Sequence, residues 1–218
     1  LKEGKPAALL GYTGMTHKKI TYAISKDGSR SMIVGTGYAA HDAAQLLFSI
    51  NPETLSIARA DVQETIAVAN PDATIQFLVP RKAYQATRVS AVNSEGETLY
   101  VGAPSSRARL RVYNKTAESG LVVDGSKLLR VEVQLRDSYA DQAYQQWRFG
   151  KLDALMVTWI ERMLEPGSAK DLKALCATLN VDRLQLVEPE DEEWAERRKV
   201  WFETCVVPAM LKLLAVEP

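Results

Sequence analysis

A tyrosine set among cations at every second position is the arrangement in this chain with the most chemical content. Residues 107–115 read Arg107-Ala108-Arg109-Leu110-Arg111-Val112-Tyr113-Asn114-Lys115. In a strand, residues two apart share a face. Arg107, Arg109, Arg111, Tyr113 and Lys115 then stand on one side, and Ala108, Leu110, Val112 and Asn114 on the other. A phenol flanked by four cations has the parts both to hold a phosphate backbone and to attack it.

Three further runs alternate in the same way. Leu129–Arg136 presents Arg130, Glu132, Gln134 and Arg136 on one face. Ile57–Val68 presents Arg59, Asp61, Gln63 and Thr65, and Thr98–Ala103 presents Thr98, Tyr100 and Gly102. Paired in one antiparallel sheet, these strands would bring Asp61, Tyr100, Tyr113, Glu132 and the arginines onto one polar surface. Such a surface suits phosphodiester transesterification, in which covalent catalysis divides cleavage and rejoining into two steps. Asp61 and Glu132 would offer hard oxygen ligands to Mg2+ or Mn2+. The arginines and Lys115 would grip the flanking phosphates, partly by two-pronged contacts. Alternation alone describes a solvated sheet face with incidental charges equally well, and at this level both readings stay open.

The elements that must carry these residues follow from periodicity and turn chemistry. Residues 1–17 read as irregular, with turn signals at Gly11-Tyr12-Thr13-Gly14. Lys19–Ser25 and Ser31–Gly35 read as strands about a Lys26-Asp27-Gly28-Ser29 turn, and Asp42–Ile50 as a short helix. Ile57–Val68 is a long strand, and Pro71–Ala86 a helix that Pro80 kinks or splits. Thr98–Ala103, Arg107–Lys115 and Leu128–Arg136 are strands. Beyond about residue 138 the pattern becomes helical. Leu152, Leu155, Met156, Trp159, Ile160, Met163 and Leu164 make one apolar stripe. A second helix is expected from Ser168 or Asp171, and a third over Glu190–Val216. Strands followed by helices indicate an α+β fold: an antiparallel sheet with helices packed on one face and a helical C-terminal region. The expected division is a sheet domain over 1–145 and a helical region over 146–218.

Composition narrows the class. The chain has 218 residues, 46% hydrophobic and 25% charged, with zero formal net charge, which argues against a generally sticky polyanion binder. The charge is unevenly placed, however. Residues 81–136 hold ten Lys or Arg against five acids, whereas residues 188–196 hold six acids and no base. No apolar run is long enough to cross a membrane, and no membrane partner is expected. Cys176 and Cys205 lack paired-motif spacing and read as reduced, packed thiols, which points to a cytoplasmic location. His17 and His41 are isolated and make poor ligand candidates.

Four segments in order then carry a resemblance. They are Ile57-Ala58-Arg59-Ala60-Asp61-Val62-Gln63, Glu97-Thr98-Leu99-Tyr100-Val101-Gly102-Ala103-Pro104-Ser105-Ser106, Leu110-Arg111-Val112-Tyr113-Asn114-Lys115-Thr116-Ala117-Glu118 and Leu129-Arg130-Val131-Glu132-Val133-Gln134-Leu135-Arg136. Over about residues 55–145 the chain resembles the replication initiation factor family of rolling-circle plasmids and related phage and mobile-element relaxases. The resemblance implies that the protein nicks one strand at a double-strand origin, leaving a 5′-phosphotyrosine link and a free 3′ hydroxyl. It implies Tyr113 as the nucleophile, with Asp61 and Glu132 as metal ligands and Glu118 as a third. Lys115 would meet phosphate, as would Arg59, Arg107, Arg109, Arg111 and Arg130, and Tyr100 would be structural or stack on a base. Implied partners are origin DNA (single-stranded or an extruded hairpin), a host helicase and a second copy of the chain.

The chain also departs from the family's pattern. Relatives often carry a second acid four residues beyond Asp61, where Thr65 stands here. The His-hydrophobe-His motif of many rolling-circle nucleases is absent, and Ala103-Pro104 replaces a Ser-Arg pair. A DNA-binding relative without cleavage activity, serving as a phage or plasmid regulator, is therefore the alternative. A third reading is an interaction module that uses the acidic 188–196 segment and the helical end.

Overall fold

The structure is a computed structural model and describes residues 5–9, 12–50, 55–91 and 96–186. The chain divides into two compact units, 1–56 and 57–218. The helix expected over Glu190–Val216, the acids of 188–196 and Cys205 lie outside the described residues.

The first unit is an antiparallel sheet of β1 (Lys5–Leu9), β2 (Tyr12–His17), β3 (Ile20–Ser25) and β4 (Ser31–Gly35), in that order. Helix α1 (Ala39–Leu46) follows and buries Ala39 and Ala43. The irregular N-terminus expected from the sequence is therefore corrected to two strands. Gly14 misleads because it reads as a turn residue. It in fact sits mid-strand opposite Ala23, where an added Cβ would lie 2.7 Å from the Ala23 side chain. A glycine inside a strand often marks such close approach.

The second unit holds the candidate chemistry. Its strands are β5 (Arg59–Val68), β6 (Ala86–Ser90), β7 (Glu97–Val101), β8 (Ala108–Asn114) and β9 (Lys127–Arg136). They form one antiparallel sheet in the order β5-β9-β8-β7-β6. Its helices are α2 (Pro71–Phe77), α3 (Lys115–Ser119), α4 (Ser138–Arg148), α5 (Leu152–Met163) and α6 (Pro166–Ala174). The fold is α+β, as read from the sequence.

Alternation explains why the sheet buries one side. Leu129, Val131, Val133 and Leu135 of β9 are fully buried, as are Leu110 and Val112 of β8 and Leu99 and Val101 of β7. Leu155, Met156, Trp159, Ile160 and Met163 of α5 join them in one core. Full burial of each such side chain contributes roughly 1.5–3 kcal/mol, so this apolar face fixes which side of the sheet stays polar. Between β7 and β8, Gly102 adopts a φ of +99°, where an added Cβ would come within 2.8 Å of the Ala108 carbonyl. Glycine permits that tight reversal.

Two helix expectations are corrected. The helix from Pro71 ends at Phe77, not near Ala86. Asn70 caps its start, accepting the Ala73 N–H at 3.1 Å. Leu78 turns extended, and Pro80 bridges to Leu164 beyond α5. Arg81 N–H and Glu165 N–H then bond Met163 and Val79 carbonyls, so this segment trades helical bonds for cross-chain ones. Residues 86–90 emerge as the edge strand β6. Helix α6 begins at Pro166, a residue suited to a first helical turn; the Ser168 hydroxyl instead accepts the Val79 N–H at 2.8 Å. Among the described residues no helix is long and apolar enough to cross a membrane.

Candidate active site

Directly paired residues of antiparallel strands point their side chains to the same face. The register therefore builds the polar surface row by row. One row runs Thr65, Arg130, Tyr113, Thr98 across β5, β9, β8 and β7. The next runs Gln63, Glu132, Arg111, Tyr100, and the one after it Asp61, Gln134, Arg109. Arg59 pairs with Arg136 at the far end. The four alternating segments thus fall on one face of one sheet, opposite the helix-covered face.

Tyr113 sits inside a stack of cations. The Arg111 guanidinium lies 3.8 Å from the centre of its ring, and Lys115 Nζ lies 6.0 Å away. The stack continues along the strand: Arg109 lies 4.0 Å from the centre of the Tyr100 ring and Arg111 5.8 Å from it. A guanidinium over an aromatic face is attracted by the ring quadrupole. The ring of Tyr113 is buried, with 4% of its surface exposed. The cations over it are long, jointed side chains, and Arg111 keeps 24% of its side chain exposed.

The arginines have more donors than the protein satisfies. Arg107 Nη2, Arg109 Nε and Arg111 Nε are buried and have no hydrogen-bond partner. A buried donor left unmade costs about 1–3 kcal/mol. Three such atoms at alternate positions, two in β8 and one on the residue that precedes it, describe a surface short of acceptor oxygens.

The carboxylates are distributed unevenly. Asp61 and Glu132 are on neighbouring strands and the same face, one register step apart, with Gln63 and Gln134 as the other corners of that square. Arg59 grips Asp61 through Nε at 2.8 Å and Nη2 at 2.6 Å. This raises the Arg59 pKa, chiefly through the hydrogen bond to Asp61. Glu132 is buried, accepts from Gln134 Nε2 at 2.8 Å and lies 3.9 Å from Arg111. Glu118 comes from α3 instead. It accepts from Lys115 and lies 3.6 Å from Arg111. The Lys115 hydrogen bond, aided by the charges of Lys115, Arg111 and Arg130, holds Glu118 below the usual glutamate range.

Arg111 therefore reaches both Glu118 and Glu132. Among the described residues no group of three or more His, Cys, Asp or Glu side chains is gathered for a metal ion, so the expected trio of Asp61, Glu118 and Glu132 is not brought together as one cluster. Asp61 and Glu132 on their own remain compatible with a hard cation. With the amides of Gln63 and Gln134 they offer hard oxygen donors. Each carboxylate also faces a guanidinium, Arg59 or Arg111. The Arg59–Asp61 pair is about half exposed, so exchanging it costs about 1 kcal/mol or less.

Sequence reading did not single out the partners that hold this face. Thr65, standing at the position of a second acid, accepts from Arg130 Nε at 3.0 Å. Arg130 is in turn the register partner of Tyr113. Arg136 Nη1 bonds the Pro104 carbonyl at 2.5 Å and so braces the β7–β8 turn. The Thr65 pairing was legible in principle, since both residues lie on alternating faces. The Arg136 bond depends on the turn's backbone geometry.

The family described as replication initiation factor matches residues 60–217. No curated protein matches the chain. Among solved structures, a rolling circle replication initiator protein from Geobacillus stearothermophilus is similar in fold. Its TM-score is 0.60 and its sequence identity 17%, over 85% of this chain and 86% of that one.

Proposed function

The chain belongs to the replication initiation factor family, and from that premise we propose that it nicks one DNA strand at a rolling-circle origin by tyrosine transesterification. The observation that carries this reading is Tyr113 stacked under Arg111, on a sheet face whose buried arginine donors lack acceptors. Phosphate oxygens are the acceptors such a surface fits, and guanidinium forks bind them in pairs.

In the proposed reaction the Tyr113 Oη attacks the backbone phosphorus. A Tyr–O–P bond forms and the P–O3′ bond breaks. The phenolic proton ends on the departing 3′ oxygen, giving a free 3′ hydroxyl and a 5′-phosphotyrosine link. Arg107, Arg109, Arg111, Arg130 and Lys115 offset the phosphate charge, and Arg59 meets the backbone further along. Tyr100, already stacked by Arg109, gives a neighbouring base a ring to lie on. The buried phenol becomes reachable when Arg111 swings from its ring to a phosphate.

Asp61 and Glu132 are the residues that would hold Mg2+ or Mn2+. When bound, such an ion polarises the phosphate and offsets its charge. Glu118, tied to Lys115 and Arg111, then acts on those cations in preference to serving as a third ligand. Origin DNA, single-stranded or as an extruded hairpin, is the substrate. A host helicase and a second copy of the chain are the further partners this reading implies, with action in the cytoplasm.

A second reading has its own observation. Thr65 is engaged by Arg130 where a carboxylate would strengthen metal binding, which favours a DNA-binding relative that does not cut. One assay separates the two. A labelled single-stranded origin oligonucleotide with Mn2+ gives an SDS-resistant adduct that Tyr113→Phe abolishes. Reversible binding alone, across a panel of origins and metals, overturns the nickase and leaves the regulator.

A further inference from the structure

Asn114 follows Tyr113 and closes β8, its side chain on the opposite face and 3% exposed. Both ends of its amide are used. Oδ1 accepts the Ala117 N–H at 2.9 Å and so caps α3. Nδ2 donates to Asp72 Oδ1 at 3.0 Å. That same Asp72 oxygen accepts the Glu97 N–H at 2.8 Å. Glu97 opens β7 and precedes Thr98, the register partner of Tyr113. The end of β8, the start of β7, α2 and α3 thus meet at one amide directly behind the tyrosine.

We propose that Asn114 is a positioning residue for Tyr113, acting with Asp72 to set the short helix whose Lys115 and Glu118 lie on the tyrosine's cation stack. The inference rests on the nicking reading for its consequence, though its geometry is independent of that reading. A cap alone would be served as well by Ser, Thr or Asp. Asparagine differs from them in also carrying an NH2 donor, and here that donor is spent on Asp72. The pose of α3 decides where Glu118 draws Arg111, and Arg111 covers the Tyr113 ring. Small misplacements of reacting groups are costly to rate.

The test changes each side of the bond in turn. Asn114→Asp keeps a capping oxygen but sets two carboxylates against each other. Asp72→Asn alone keeps both bonds, since its carbonyl oxygen accepts from the Asn114 amide and from the Glu97 N–H alike, whereas Asp72→Ala removes that oxygen. Asn114→Ser caps without donating to Asp72. Adduct formation at saturating origin oligonucleotide and Mn2+ is expected to slow roughly 10- to 100-fold in Asn114→Asp and Asn114→Ser, with oligonucleotide affinity unchanged. Asp72→Asn keeps the wild-type rate, and Asp72→Ala is slowed like the Asn114 variants. A wild-type rate in both Asn114→Asp and Asn114→Ser overturns the proposal, as does a folded Asp72→Asn that is slow. A second readout is the ring carbon resonance of Tyr113 in 13C-tyrosine protein, assigned by Tyr113→Phe. Should the wild type give no adduct, the nicking reading fails by itself. The resonance then decides: movement in Asn114→Asp with none in Asp72→Asn supports the latch, and any other outcome overturns it.

Discussion

The guanidinium of Arg111 lies 3.8 Å from the centre of the Tyr113 ring. The same side chain lies 3.9 Å from Glu132 and 3.6 Å from Glu118. It therefore stands over the proposed nucleophile while answering to two carboxylates. Under the nicking reading, Arg111→Ala leaves Tyr113 more exposed yet slows adduct formation, because the phosphate loses a preorganised charge. The expected loss is on the order of 100-fold in the single-turnover rate. Arg111→Lys restores little of it, since an ammonium lacks the planar fork.

Thr65 and Arg130 pair across β5 and β9. A carboxylate at position 65 would stand one register step from Glu132, on the same face. Thr65→Glu is expected to lower the Mn2+ concentration needed for half-maximal adduct formation. An unchanged metal requirement would separate the ion from these two strands.

Glu118 carries the pH dependence. Its folded pKa is held down, first by the Lys115 hydrogen bond. A depressed carboxylate contributes stability that is present above its unfolded pKa and lost as pH falls through the folded one. The Lys115–Glu118–Arg111 cluster is thus complete at neutral pH and disappears only below the ordinary glutamate range. Glu118 is 43% exposed, so the effect is about 1 kcal/mol or less. Thermal melts should show Glu118→Gln slightly less stable than wild type at pH 7, with the gap closing in acid.

The unmatched donors of Arg107 and Arg109 predict a salt signature. Removing one cation that neutralises a phosphate of a single strand reduces the steepness of the log–log salt dependence of binding by about 0.7. Arg107→Ala and Arg109→Ala should each show a reduction of that size in fluorescence anisotropy titrations. A changed affinity with an unchanged slope would assign these arginines to structure.

Much of this site was legible because strand alternation is local. Arg107 to Lys115 and Arg130 to Arg136 state their faces residue by residue, and the register only had to align them. The carboxylates were harder, since their neighbours decide what they hold. Nothing in the spacing of Arg59 and Asp61 says that they pair with each other, or that Arg111 reaches Glu118. Asp72 and Asn114 are 42 positions apart, so their bond was invisible until α2 packed beside β8. The edge strand β6 was missed because its residues are exposed on both faces and carry no alternation to detect. Gly14 misled for the opposite reason: its small size answers Ala23 on the neighbouring strand and not a turn at its own position.

Mapping the covalent bond tests the central claim most directly. Tryptic digestion of the adduct between the protein and its origin oligonucleotide cuts after Arg111 and Lys115, which frees residues 112–115. Mass spectrometry is expected to find the nucleotide on that peptide, at Tyr113. Attachment instead to the peptide of residues 89–107, which contains Tyr100, or the absence of any nucleotide-bearing peptide, would contradict the account.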